Sequence, residues 1–167
     1  MIAVRVDDLA FTRADAIARP VNDRLRAVTQ VMRRLEEAAG NALVTQLRVN
    51  EPLGVGAAVV THAGAIEAEL MIHAVVVSEE EPVSAPGVRR ALNATMQQAS
   101  AWDVRHLAIA PYGLGPGNLS IDESAELMAD VLVRHAAAAP IEVTIVVEND
   151  VEAAVYEAAV SRRAGIS

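Results

Sequence analysis

The sequence predicts an α/β domain of three layers, α/β/α, with helices on both faces of a mixed sheet of about six strands. Three observations carry that expectation. Strand-type and helix-type stretches alternate along the chain. The run at 69–77 is strongly apolar, as a strand covered on both faces is. A turn with Gly113, Gly115 and Gly117 joins the apolar run 106–110 to a stretch opening Ser120-Ile121-Asp122-Glu123. That opening fits a capping box, in which the Ser hydroxyl and Glu carboxylate satisfy free amides of a helix's first turn.

In chain order, residues 2–6 form a first strand, followed by Asp7 and Asp8. Residues 15–19 form a second, closed by Pro20. A helix is predicted over 22–39, because Leu25, Val28, Val31, Met32 and Leu35 fall at helical spacing between Asn22 and Gly40. A second helical stretch covers 41–49. Strands follow at 57–61 and 69–77, then an acidic surface loop at 78–87 and a helix at 88–102. Strand 106–110, a helix to about residue 138, strand 141–147 and helix 150–162 complete the order. The whole chain, 1–167, reads as one domain, long enough for a substantial core.

Bulk properties exclude several classes. A net charge of −8 argues against general nucleic-acid binding, where phosphate neutralisation dominates affinity. One small anion held by backbone amides remains compatible with it. With no cysteine there is no disulfide, thiol nucleophile or Cys-based metal site, and the four histidines lack zinc-type spacing. No metal or cofactor is expected. Charged residues in the first apolar run argue against a signal peptide, and no segment reaches membrane-spanning length, so a cytoplasmic location and no membrane partner are expected. The oligomeric state is open, a homodimer included.

Four blocks, in order, resemble the macro domain family. Asp7-Asp8-Leu9 is similar to a first strand ending G-D-I. The segment from Asp15 to Asn22 resembles D-A-I-V-N-A-A-N, with Ala39-Gly40 closing the helix after it. Gly56 to Thr61, followed by Met71-Ile72-His73, resembles a G-E-A-x-x-T pattern leading to V-I-H. The segment from Leu107 to Asn118 resembles I-A-F-P-x-x-G-T-G-x-x-G.

The resemblance implies an ADP-ribose-binding or ADP-ribose-1″-phosphate-processing fold. It implies that Asp8, beside Leu9, accepts a hydrogen bond from an adenine amino group, and that Gly113, Leu114, Gly115, Pro116, Gly117 and Asn118 hold the diphosphate and distal ribose. Asn22 matches an asparagine that holds the distal ribose in family hydrolases; as a residue it reads equally as a helix cap. Phe11 and Tyr112 are the aromatic residues placed to contact adenine, and Trp102 reads as core. His73 reads as a hydrogen-bonded core residue and carries no chemistry.

The departures from the family pattern cluster in the first binding loop. Arg19 and Pro20 stand where the family has asparagine and a small residue. Val28, Thr29, Gln30 and Val31 replace a glycine run, as though the helix had grown back through the loop, and Met32 occupies the place of an aspartate found in some family hydrolases. Arg19 is a candidate phosphate partner, or a partner of Asp15 or Asp23. Arg24, Arg26, Arg33 and Arg34 read as a solvated helix face. No acid–base pair stands out. The expected function is binding of ADP-ribose or a related adenine nucleotide with little catalysis. A degenerate scaffold or interaction module is the alternative, and an ADP-ribosyl hydrolase using Asn22 a further one.

Overall fold

The computed structural model describes residues 1–165. Its centre is a six-stranded sheet in the order β1-β6-β5-β2-β4-β3. The strands are β1 (Ile2–Val6), β2 (Ala16–Asn22), β3 (Ala58–His62), β4 (Leu70–Val77), β5 (His106–Ile109) and β6 (Glu142–Val147). All neighbours pair in parallel except β3, which runs antiparallel to β4. The sheet is therefore mixed, as expected.

Alternation along the strands divides the core in two. Ala16 and Ala18 of β2 face one side, with Ile72, Ala74 and Val76 of β4, under α3 (Ala85–Ala101), α4 (Ile121–Ala138) and α5 (Asp150–Arg163). Ile17 and Val21 face the other, with Met71 and Val75, under α1 (Gln30–Ala39) and α2 (Asn41–Gln46). Helices thus cover both faces. Two anchors come from short polar residues: Asp15 Oδ2 accepts the Arg105 and His106 amides at 2.9 Å, tying β2 to β5, and the capping box at Ser120 and Glu123 forms in full.

The structure departs from expectation mainly between residues 20 and 29. Pro20 does not end β2, which continues to Asn22. Ala18 O accepts from Ala110 N and Asp15 O from Leu70 N, so even-numbered residues of β2 turn their backbone polar groups toward β5. By residue 20, β5 has already ended at Ile109, and the missing Pro20 N–H costs no ladder bond. The helix expected from 22 begins only at Gln30, capped by Thr29. Residues 22–28 instead form a tight hairpin: Val21 bridges Ala27, and Leu25 takes φ 62 with its side chain buried. In addition, α3 starts earlier than expected, at Ala85 after its cap Ser84, and Trp102 is not core but 54% exposed.

Candidate nucleotide-binding cleft

The hairpin 22–28 is held from beneath by a buried ion pair. Arg19, on the α1 face of β2, is fully buried and spends its guanidinium inside the protein. Its Nη1 donates to Glu36 Oε1 at 2.7 Å, Nη2 to Leu25 O at 3.0 Å and Nε to His73 Nδ1 at 2.9 Å. Glu36 Oε1 also accepts the Ala27 amide at 2.7 Å, and Oε2 accepts from Arg26 Nη2 at 3.2 Å. Burial pushes the Glu36 carboxyl up, but the Arg19 hydrogen bond and charge, with Ala27 N–H and Arg26, outweigh it and hold it below its ordinary range.

The same network fixes the tautomer of His73. Because Nδ1 accepts from Arg19, the ring proton sits on Nε2 and donates to Thr61 Oγ1 at 2.8 Å; the Thr61 hydroxyl in turn donates a hydrogen bond to His62 O. Burial, then the charge of Arg19, press the His73 pKa well below 6.5. Among the described residues every buried side-chain nitrogen and oxygen of this network has a hydrogen-bond partner, as a low-dielectric interior requires. Arg19 is accordingly no phosphate partner, and its partner is neither Asp15 nor Asp23.

Above this layer lies a cleft of about 290 Å³ at the carboxyl ends of β1, β5 and β6. Its floor is apolar, built from Met32, Leu35 and Ala38 of α1 with Ala110, Val146 and Val147 from the sheet. Its rim carries Asp7, Asp8, Phe11, Arg34, Glu148 and Glu152, and Thr29, Val31, Pro111 and Leu114 line it further. Asp8 Oδ1 accepts the Ala10 amide at 2.9 Å and caps a 3-10 turn over Leu9–Phe11. Among the described residues its Oδ2 has no partner. Phe11, on the same turn, is 71% exposed. Arg34 pairs with Glu148 across the rim, so it is not merely a solvated helix residue.

The glycine turn is bent as expected, with φ 90 at Gly113, 134 at Gly115 and 77 at Gly117. Asn118 N bonds Gly115 O and Leu119 N bonds Gly113 O. The amides of Gly113, Leu114, Gly115 and Gly117 have no acceptor among the described residues. A Cβ built on Gly115 would lie 3.8 Å from Thr29 Cγ2, so the turn and the start of α1 face each other at short range.

The expected residues are thus divided. Asp8, Leu9, Phe11 and Leu114 line one cleft; Gly113, Gly115, Pro116, Gly117 and Asn118 belong to the turn beside it and are not part of its lining. Asn22 lies outside: its Oδ1 accepts the amides of Arg24 and Arg26 and caps the hairpin rather than a helix. Tyr112 is fully buried in the core on the α3 side, bonded to Thr95 Oγ1 at 2.8 Å, and is out of reach of an adenine. Residues not foreseen are Met32, Leu35, Glu148 and Glu152. The helical stripe containing Met32 and Leu35 could have suggested the first two.

Comparison with known proteins accords with the fold. The macro domain family model matches residues 18–128, and the chain belongs to that family. An uncharacterized protein of Mycobacterium tuberculosis is 30% identical over 95% of this chain, which spans only 44% of that relative's length. An uncharacterized protein of Aeropyrum pernix is 30% identical over 75% of this chain and 67% of its own. The Oceanobacillus iheyensis macrodomain with ADP superposes with a TM-score of 0.84 at 15% identity, over 95% of this chain and 89% of that one. The macro domain of ganglioside induced differentiation associated protein 2 gives 0.87 at 16%, over 99% and 85%. The Trypanosoma brucei macrodomain in complex with ADP gives 0.80 at 18%, over 95% and 68%. At these identities the structural likeness is one of fold. No helix among the described residues is long and apolar enough to cross a membrane.

Proposed function

We propose that the chain binds ADP-ribose or a related adenine nucleotide in the cleft above α1, without turning it over. The observation that carries this is the Asp8–Phe11 turn. It sets an unpartnered carboxylate oxygen and an exposed ring at the mouth of an apolar cleft. An adenine offers an amino donor for the first and a flat face for the second. Phosphates then fall between the turn 113–117 and the start of α1, where backbone amides stand without acceptors. ADP-bound structures of two macrodomains of like fold support the reading. Met32 supports the non-catalytic part, since it presents a thioether where an acid would be needed to activate water.

Calorimetric titration with AMP and ADP-ribose tests the proposal. Asp8→Ala should weaken both by roughly 1.5–3 kcal/mol, or one to two decades in affinity, and leave inorganic phosphate unchanged. Release of ADP-ribose from a modified protein by this chain would refute the non-catalytic part. The closed hairpin 22–28 favours one second reading, a macro fold serving as an interaction module. Failure of every nucleotide to bind at millimolar concentration would promote it.

A further inference from the structure

Of the few aromatic residues in the chain, Tyr112 and Tyr156 are buried, whereas Phe11 and Trp102 are exposed. Phe11 stands at the cleft already described. Trp102 stands at the other end of the sheet, between Ser100 and Asp103, which line a second cavity of about 460 Å³. That cavity opens at the amino ends of β5 and β6, where α3 and α4 finish, and its floor is the buried Met96, Val104 and Ile141. Its walls are rich in acceptors. Helix α4 ends without a cap: Ala139 is extended at φ −146, Pro140 has no N–H, and Ile141 N bonds Ala139 O. Among the described residues no donor is bonded beyond the helix to the carbonyls of Ala136, Ala137 and Ala138, the last of which lines the cavity. His135, also in the lining, has Nε2 3.0 Å from Asn93 Oδ1. That oxygen can only accept, so the ring proton sits on Nε2 and Nδ1 is left as an acceptor. Partial burial, then the charge of Arg134, lower the His135 pKa and favour this neutral form. The carboxyl end of a helix carries partial negative charge, and the chain as a whole carries −8. Arg105 is the one arginine in the lining; it is exposed, where solvent and salt screen it.

We infer that this second cavity binds an organic cation, an ammonium or guanidinium group on a short apolar stem. The stem lies on Met96, Val104 and Ile141. The charged head meets the Asp103 carboxylate, His135 Nδ1 and the free carbonyls of α4, and Trp102 offers it a ring face. The site is independent of the adenine-nucleotide reading, because it shares no residue with the first cleft and lies at the opposite ends of the strands.

Trp102 is the sole tryptophan, so its fluorescence reports on the site directly. The full chain is titrated with n-butylguanidinium, its neutral analogue n-butylurea, and butyrate. The cation should change the emission saturably and bind at least about tenfold tighter than either of the others. No saturable response by about 20 mM, or equal binding of all three, would overturn the inference. Asp103→Asn keeps a side chain that tolerates the positive φ of 53 at this position and removes the charge. It should weaken the cation by about two- to fivefold, and an unchanged affinity would count against the site. The first cleft also carries carboxylates at its rim, so Asp8→Ala controls for it: a loss of butylguanidinium binding in that variant would move the cation there and overturn the inference. Nα-acetylarginine methylamide separates two sources of the same chemistry. Tighter binding than butylguanidinium assigns the cation to a partner's side chain, weaker binding to a free small molecule, and either supports the site.

Discussion

The two loops that meet at the cleft are made rigid by different means. Residues 22–29 carry no glycine; they are pinned from below by Arg19 and Glu36 and include one leucine at positive φ. Residues 111–119 hold their shape through three glycines at positive φ and two backbone hydrogen bonds of their own. The helices that follow differ in the same way. The first turn of α4 is closed by its capping box and carries Asp122 and Glu123, which oppose an anion there. The first turn of α1 has a threonine cap and no acid, and Thr29 and Val31 line the cleft. Losing glycines therefore did not remove an anion-compatible helix start from the first loop; it moved the cost of shaping the loop into the core. Periodicity alone runs the helix through that end, whereas it begins only at Gln30.

If the first loop depends on its clamp, Arg19→Ala should show the largest effect. It leaves Glu36 with only Arg26 and the Ala27 amide, and removing one member of a buried pair costs about 3–5 kcal/mol. Urea denaturation should show that loss, and a loss under about 1 kcal/mol would mean the loop shapes itself. Gly115→Val strikes the other loop. A Cβ there would meet Asn118 Nδ2 at 2.8 Å in a backbone region hostile to β-branched residues. The strain should be local, about 1–3 kcal/mol, with nucleotide binding falling further than stability does. Equal loss of stability and binding would show that both loops are parts of one unit.

The smallest and most specific effect is pH-dependent. His73 has a pKa depressed by burial and by Arg19, so the unfolded state takes up its proton first as pH falls. Its contribution to stability is complete above 6.5 and declines below it, with a slope of up to about 1.4 kcal/mol per pH unit. Thermal melts between pH 7 and pH 5 should show that slope in wild type and lose it in His73→Asn. His135, lowered by partial burial and then by Arg134, titrates in the same direction, so both measurements belong in a His135→Asn background. A slope that survives the loss of His73 would place the titrating group elsewhere.

Much of the fold was legible because its signals are local. The apolar run at 69–77 and the capping box at Ser120 each imply their structure within a few residues, and the strands fall close to where periodicity puts them. Residues 20–29 were misread for a physical reason. Leu25 is apolar because it plugs a hairpin, and its spacing from Val28 and Met32 imitates a helix; positive φ at a leucine leaves no trace in periodicity. Tyr112 sits in a glycine-rich loop by sequence, yet it points through to Thr95 on α3. Arg19 was legible in principle. A lone charge in the buried strand AIARPVN demands a partner, and Glu36 interrupts the apolar stripe of Met32, Leu35 and Ala39 on the helix that covers that strand. What no local pattern supplies is which of several nearby acids closes the pair.

The pairing of β1 with β6 joins Ile2 to Val143, and Met1 to the Ile141 carbonyl 140 residues away. Asp8 leaves the end of the first of these strands and Glu148 the end of the second, so the rim of the cleft does not exist until the two have met. During synthesis β1 must wait with its partner unmade until β6, some 140 residues on, has emerged, and contacts of such long separation are slow to close. The rim of the cleft is therefore completed late. Any ligand held at that rim would act as a latch on the finished topology, drawing the equilibrium away from chains whose first strand has frayed.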